Sequence, residues 1–283
     1  MIIRLSDKND INGIITLWNE AFGDGENEIR FFLDNKYVPE NTLIIEENGT
    51  LASMLFLLEG NMRINGKSYP SYYLYAACTA KQFRGKGYMA DLLAEANRIA
   101  SMRGKDFICL MPGEKSLFDF YEKHGYLTVF NKKILTVNRS DFDFFCETGE
   151  HSCESPQDLR NKSFSPFDFF EWDNSSIEFA FSHNKLYSGT DILDCKGYLL
   201  YTENDGIATV KEFAFTEENL FNGLALLFTE SKCKKALISL PSQYKTTVGD
   251  YSILPSAMIY PVSMRSKNIV QNLNNAYLGL TLD

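Results

Sequence analysis

Between residues 72 and 100 the chain reads as strand, glycine loop and helix, and that order constrains its fold more than any other feature. Tyr72-Tyr-Leu-Tyr-Ala-Ala-Cys-Thr79 is rich in aromatic and small apolar residues, as suits a buried strand. Met89, Leu92, Leu93, Ala96, Ile99 and Ala100 recur at helical spacing and define one apolar face. Between them lies Phe83-Arg84-Gly85-Lys86-Gly87-Tyr88-Met89. This order aims backbone N–H groups and the positive end of a helix dipole at one anion. Two glycines let the main chain approach a phosphate closely, and Arg84 and Lys86 add positive charge beside it. The loop reads as a pyrophosphate cradle.

Two familiar phosphate loops fit it poorly. A P-loop needs Gly-Lys-Ser/Thr, whereas Gly87 is followed by Tyr88 and Met89. Gly85, Gly87 and Ala90 satisfy the spacing of a dinucleotide fingerprint, and Asp106 lies near the distance of a ribose-binding acid. That acid should close a second strand, but Asp106 opens the apolar run Phe107-Ile-Cys-Leu-Met111. The loop also lies well inside the chain, not on a first strand–helix turn. A nicotinamide-dependent oxidoreductase is therefore a distant alternative.

The rest of the chain bounds the function classes. At 283 residues it has room for two ordinary domains, and 45% hydrophobic with 23% charged residues implies a packed core. The N-terminus lacks a basic start followed by a long apolar run, so no signal peptide is expected, and no stretch is long enough for a membrane span. The six cysteines form no Cys-x-x-Cys pair, and His124, His151 and His183 lack metal-ligand spacing. The sequence thus predicts a reduced cytoplasmic protein without a metal site. With 28 basic against 37 acidic residues and no basic run, nucleic acid is not an expected partner.

Residues 2–6 read as a strand, and Asn9 as the cap of a helix ended by Gly23. A second helix over 26–37 precedes strands at 42–47 and 51–58, joined through Asn48-Gly49. Residues 138–166 break into Asp, Glu, Ser, Pro and Asn and read as a linker. Beyond it, 197–202 and 207–215 form a hairpin, followed by a helix over 217–231 and strands at 236–240 and 257–262. This repeats the layout around the glycine loop, but no glycine signature stands between Phe215 and Glu217.

Arg84-Gly85-Lys86-Gly87-Tyr88-Met89 resembles the R/Q-x-x-G-x-G/A signature of the GNAT superfamily of acyl-CoA N-acyltransferases. Leu117-Phe-Asp-Phe-Tyr-Glu-Lys-His-Gly-Tyr126 looks like the helix and turn that close the same family's site, F-Y-x-K-x-G-F/Y. The last signature position is Met89 where the family has Gly or Ala. That departure resembles the tandem-GNAT branch of the enhanced-intracellular-survival type. The resemblance covers roughly residues 1–137 and is faint afterwards.

The resemblance implies an α+β fold with a mixed sheet: a catalytic GNAT domain over 1–137, the linker 138–166, and a degenerate GNAT-like domain over 167–283. It implies N-acetyl transfer from acetyl-CoA to a primary amine of a small molecule or protein, with a homo-oligomer compatible. The binding-class alternative keeps acyl-CoA as a sensed ligand without catalysis. By the family pattern Ala77, Cys78 and Thr79 pair with the pantetheine amides, and Arg84, Gly85, Lys86, Gly87, Tyr88 and Met89 hold the pyrophosphate. Cys78 as a nucleophile has no Cys–His arrangement to support it. Tyr121 aligns with the family's general acid, although one tyrosine among 15 can equally pack. At reference pKa values, a proton moving from tyrosine to a thiolate climbs about 1.5 units, or about 2 kcal/mol. Asp24, Glu26 and Glu28 border the family's acceptor region, yet they also suit helix starts. In the enhanced-intracellular-survival type the terminal carboxylate enters the site, and the tail 276–283 can dock similarly.

Overall fold

A computed structural model of the chain describes residues 1–141, 154–273 and 275–282. They form two compact units, neither continuous in sequence. The first gathers Met1–Gly60, Tyr69–Leu127 and Met258–Val270. The second takes Asn61–Ser68, the described residues from Thr128 to Ala257, and those from Gln271 onward.

The chain opens with β1 (Ile2–Leu5), α1 (Ile11–Phe22), α2 (Glu26–Lys36), β2 (Thr42–Glu47) and β3 (Thr50–Ile64). It continues with β4 (Lys67–Thr79), α3 (Tyr88–Met102), β5 (Phe107–Leu110) and α4 (Ser116–Lys123). The cap expected at Asn9 is instead Asp7. Its carboxylate accepts from Asn9 N, and Asp10 returns a bond to Asp7 N, each at 2.7 Å. This reciprocal pair closes a 3-10 turn over Lys8–Asp10 from which α1 continues. Gly23 ends α1 in the left-handed region, as read from sequence. The hairpin at Asn48-Gly49 forms, and Asn65-Gly66 makes the same turn between β3 and β4. β3 is accordingly longer than the expected 51–58.

Next come β6 (Leu127–Asn138), α5 (Pro156–Phe164), β7 (Phe169–Glu171), α6 (Asn174–Leu186) and β8 (Thr190–Asp194). β9 (Gly197–Asn204), β10 (Ile207–Phe215), α7 (Leu220–Glu230), β11 (Lys235–Pro241), β12 (Asp250–Pro261) and α8 (Met264–Val270) complete the order. Part of the expected linker is therefore helix. Ser155 accepts from Asp158 N and Pro156 occupies the first turn, a start signal hidden among polar residues. The remainder of that stretch, 142–153, lies outside the described residues.

In the first unit the strands run β1-β2-β3-β4-β5-β12. The β4–β5 pair is parallel, and Met258–Pro261 pairs antiparallel with β5. The strand expected at 257–262 thus completes the sheet beside the glycine loop. β6 pairs antiparallel with β11 in the second unit, whose order is β6-β11-β10-β9-β8. Both units are mixed α+β. The first unit's core joins Leu55, Leu57 and Tyr72 of the sheet to Leu92, Leu93, Ala96 and Ile99 of α3. Each such leucine contributes about 1.5–3 kcal/mol on burial.

The tail is built into the second unit. Tyr277 N donates to Asp168 O at 2.8 Å, and Phe170 N to Tyr277 O at 3.0 Å. Trp172 Nε1 donates to Leu280 O at 2.9 Å. Asp283, whose carboxylate the resemblance sends to the acyl site, lies outside the described residues.

Candidate active site

The β4–β5 ladder runs from Ser71↔Phe107 to Tyr73↔Cys109 and stops there. β4 continues to Thr79. Ala76, with φ of +47°, kinks the strand just past the end of the ladder. A non-glycine residue in that region is strained, and such strain persists only where its surroundings hold it. Ala77, Cys78 and Thr79 therefore form a strand tip turned out of the ladder. Ser53 braces it from β3: its Oγ donates to Cys78 O at 2.8 Å. Burial pushes the Cys78 thiol up to about 12, so it is no thiolate nucleophile near neutrality.

Gly85 and Gly87 follow with φ of +79° and +85°. A Cβ on either meets nothing within 4 Å, so the loop faces open space on that side. The conformation, not crowding, calls for glycine. Gly87 caps α3, whose first turn begins at Tyr88. Its unpaired N–H groups and dipole make the loop's mouth favourable to an anion. Arg84 Nε donates to Thr79 O at 3.1 Å, tying the loop back to the strand tip. Met89 is half-buried against the first unit's core, which explains a larger residue there.

Lys86 is not free in the loop. Its Nζ lies 3.3 Å from Glu47 Oε2, and that same oxygen accepts from the Tyr88 hydroxyl. The ammonium also stands 4.9 Å from the Phe83 ring centroid and 5.8 Å from that of Tyr88. The Tyr88 hydrogen bond, then Lys86, hold the Glu47 carboxyl below its usual range. The same bond pushes Tyr88 up to about 12.

Tyr121, on α4, shares the apolar cluster that contains Tyr88, Met89 and Ala77. Its ring meets Tyr126 edge-on at 5.5 Å. Burial raises its pKa to about 12. Moving a proton from such a phenol to a thiolate of pKa about 8.5 costs about 5 kcal/mol. Tyr121 thus remains protonated near neutrality and is equipped to donate a hydrogen bond. His124 closes α4 beside Gly125 (φ +86°), its ring tilted against that of Phe120. Among the candidate bases, Asp24 accepts from Trp18 Nε1 at 2.8 Å, Glu26 pairs with Arg30, and Glu28 bonds Gly25 N at the start of α2. All three serve local structure.

The second unit repeats the splay without the loop. The β10–β11 ladder is parallel from Ile207↔Lys235 to Val210↔Ile238, while β10 continues to Phe215. Its register against β9 shifts between Val210 and Glu212. Thr216-Glu217-Glu218-Asn219 then stands where the first unit has its glycines. Tyr244 Oη lies 3.0 Å from Phe215 O and 2.8 Å from Thr216 O, occupying that strand tip.

The structure brings the strand tip, the loop and Tyr121 into one unit. Sequence reading missed Ser53 and Glu47, because each acts from another strand of the sheet, β3 and β2, with no motif of its own. Among the described residues no group of three or more His, Cys, Asp or Glu could hold a metal, and no helix is long and apolar enough to cross a membrane.

Residues 2–129, somewhat under half of the chain, match the acetyltransferase (GNAT) domain model, so the chain carries a GNAT domain over that stretch. Solved structures share the fold across nearly the whole chain. A probable N-acyltransferase from Enterococcus faecalis V583 is 14% identical with a TM-score of 0.75, covering 94% of this chain and 73% of its own. A GCN5-related N-acetyltransferase from Anabaena variabilis is 13% identical with a TM-score of 0.76, covering 94% and 74%. Eis1 from Mycobacterium abscessus is 12% identical with a TM-score of 0.70, covering 93% and 74%. No curated protein matches in sequence.

Proposed function

We propose that this protein is an acetyl-CoA-dependent N-acetyltransferase acting in the cytoplasm on a primary amine of a small molecule or protein. The first unit is the catalytic domain, and the second is a degenerate GNAT-like domain. The observation that carries the reading is the β4 tip, released from its ladder after Tyr73 and delivered to an open two-glycine loop. A strand edge released from its neighbour can pair with pantetheine amides as an added strand would. The helix N-terminus and the loop N–H groups then suit the pyrophosphate.

Acyl transfer forms a bond from the amine nitrogen to the thioester carbonyl carbon and breaks the C–S bond. The departing sulfur carries negative charge. Tyr121, protonated by virtue of its burial, supplies a hydrogen bond that favours that charge. The nitrogen's extra proton leaves to solvent or through the acceptor pocket. Ala77, Cys78 and Thr79 orient the thioester arm, while Arg84 to Met89 hold the diphosphate end.

Isothermal titration with acetyl-CoA tests the reading, with Gly87→Trp as the comparison. A Cβ at Gly87 meets nothing within 4 Å, so the added side chain blocks the open side of the loop, while the positive φ there also strains the loop itself. Binding by the parent chain, lost in a variant that melts cooperatively, is the expected result. Absence of binding by the folded parent chain removes the assignment.

A further inference from the structure

Glu47 has no place in the family motif, yet it touches two loop residues at once. It ends β2, and its Oε2 accepts from the Tyr88 hydroxyl while lying 3.3 Å from Lys86 Nζ. The half-exposed ammonium is further flanked by the Phe83 and Tyr88 rings, at 4.9 and 5.8 Å. Lys86 is therefore satisfied by the protein itself: a carboxylate on one side and two π faces on the other. Arg84 differs. Among the described residues only its Nε is engaged, with Thr79 O at 3.1 Å, and the residue is exposed.

We propose that Glu47 is the internal counter-anion of the glycine loop, clamping Lys86 so that a bound diphosphate must compete with the carboxylate for that ammonium. The inference rests on the acetyl-CoA reading of the loop and adds a specificity-determining residue to it. Phosphate and carboxylate oxygens make comparable charge-assisted bonds to an ammonium, so the exchange gains little. Glu47 thereby lowers the affinity that Lys86 would otherwise provide. It also leaves Arg84 and the backbone N–H groups as the loop's main attraction for the ligand. The Tyr88 bond positions the carboxylate by fixing it against the first turn of α3.

Glu47→Gln tests this, because the amide oxygen still accepts from Tyr88 while the charge is gone. A half-exposed ion pair shifts an equilibrium by a factor of about 1.5 to 5, and removal of repulsion toward the diphosphate adds to it. Titration with acetyl-CoA at low salt should therefore show binding tightened by about three- to tenfold. The same substitution in a Lys86→Met background separates the clamp from the bare field of Glu47. There the gain should shrink to less than about twofold. Unchanged or weaker binding in Glu47→Gln overturns the proposal, as does an equal gain in both backgrounds. Thermal melts of each variant confirm that the comparison is between folded proteins. If the folded parent chain does not take acetyl-CoA at all, the functional reading fails first. If it binds and only the Glu47 effects are missing, this inference fails alone.

Discussion

Ser53 Oγ stands 2.8 Å from Thr79 Oγ1, so the tip of β4 is braced from its neighbour on the side away from β5. The same oxygen donates to Cys78 O at 2.8 Å. Past the kink at Ala76 the strand has lost its ladder with β5, and these bonds hold its direction. Ser53→Ala leaves the buried carbonyl without that donor, which costs about 1–3 kcal/mol. The melting temperature should fall, and the dissociation constant for acetyl-CoA should rise several-fold. A variant that melts lower but binds acetyl-CoA unchanged shows that the brace serves stability only.

Tyr121→Phe removes the hydroxyl proposed to face the leaving sulfur. The expected outcome is a kcat lower by about 10²-fold or more, with acetyl-CoA affinity nearly unchanged. Because burial holds Tyr121 up at about 12, its ionisation should not shape the rate below about pH 10. A pH–rate profile of the parent chain with an alkaline fall near about pH 8.5 that disappears in Tyr121→Phe would contradict this placement.

The glycine loop and α3 were legible because their signals are local. Gly85 and Gly87 need positive φ, and the spacing of Leu92, Leu93, Ala96 and Ile99 declares a helix. What escaped was long-range. Met258–Pro261 pairs with β5 across about half of the chain's length, and nothing in the sequence of a short buried strand names its partner. α5 escaped for another reason: its start is signalled by Ser155-Pro156 within a polar stretch, where the same residues also spell a loop. Its buried face includes Arg160, a residue type that apolar periodicity counts as exposed. Glu47 and Ser53 were invisible as site residues because each reaches the loop or strand tip from a different strand, β2 and β3, distant in sequence.

Arg160 and Glu212 form a fully buried pair in the second unit, with Nε 2.6 Å from Oε1. Arg160 Nη1 also donates to Phe170 O at 2.8 Å. Removing one partner strands the other charge away from water, which costs about 3–5 kcal/mol. Arg160→Met and Glu212→Gln should each lower the urea midpoint strongly. The paired replacement Arg160→Met/Glu212→Gln should lose less than the sum of the single changes. Additive losses would mean that the two groups are not energetically coupled.

The buried tyrosines make the fold sensitive to alkali. Burial raises Tyr126, Tyr198 and Tyr277 well above their ordinary value, and Tyr121 to about 12. Above about pH 10 the unfolded chain loses phenolic protons that the folded chain keeps. The unfolded state then binds fewer protons, so stability falls as pH rises, after being fully present below that point. Urea midpoints should hold steady from about pH 7 to about pH 9 and drop beyond about pH 10. A midpoint insensitive to pH in that upper range would show that these hydroxyls ionise within the fold at little cost.

Acetyl-CoA should bind once per chain, although two strands splay from their ladders. In the first unit the tip of β4 leads into glycines with open space before them. In the second, Tyr244 Oη occupies the carbonyls of Phe215 and Thr216, and Glu217 and Glu218 replace the basic residues. Gly223 reinforces the closure: a Cβ there would meet the Phe213 ring at 2.4 Å, so α7 packs directly on β10. Two negative charges and a plugged strand edge oppose a diphosphate both electrostatically and by exclusion. Calorimetry should give a single site, and Tyr244→Phe should leave that stoichiometry unchanged while lowering the melting temperature, since it removes a buried donor from two carbonyls. A second equivalent of acetyl-CoA bound by the parent chain would show that the plug opens, and that the second unit has kept a working cradle without its glycines.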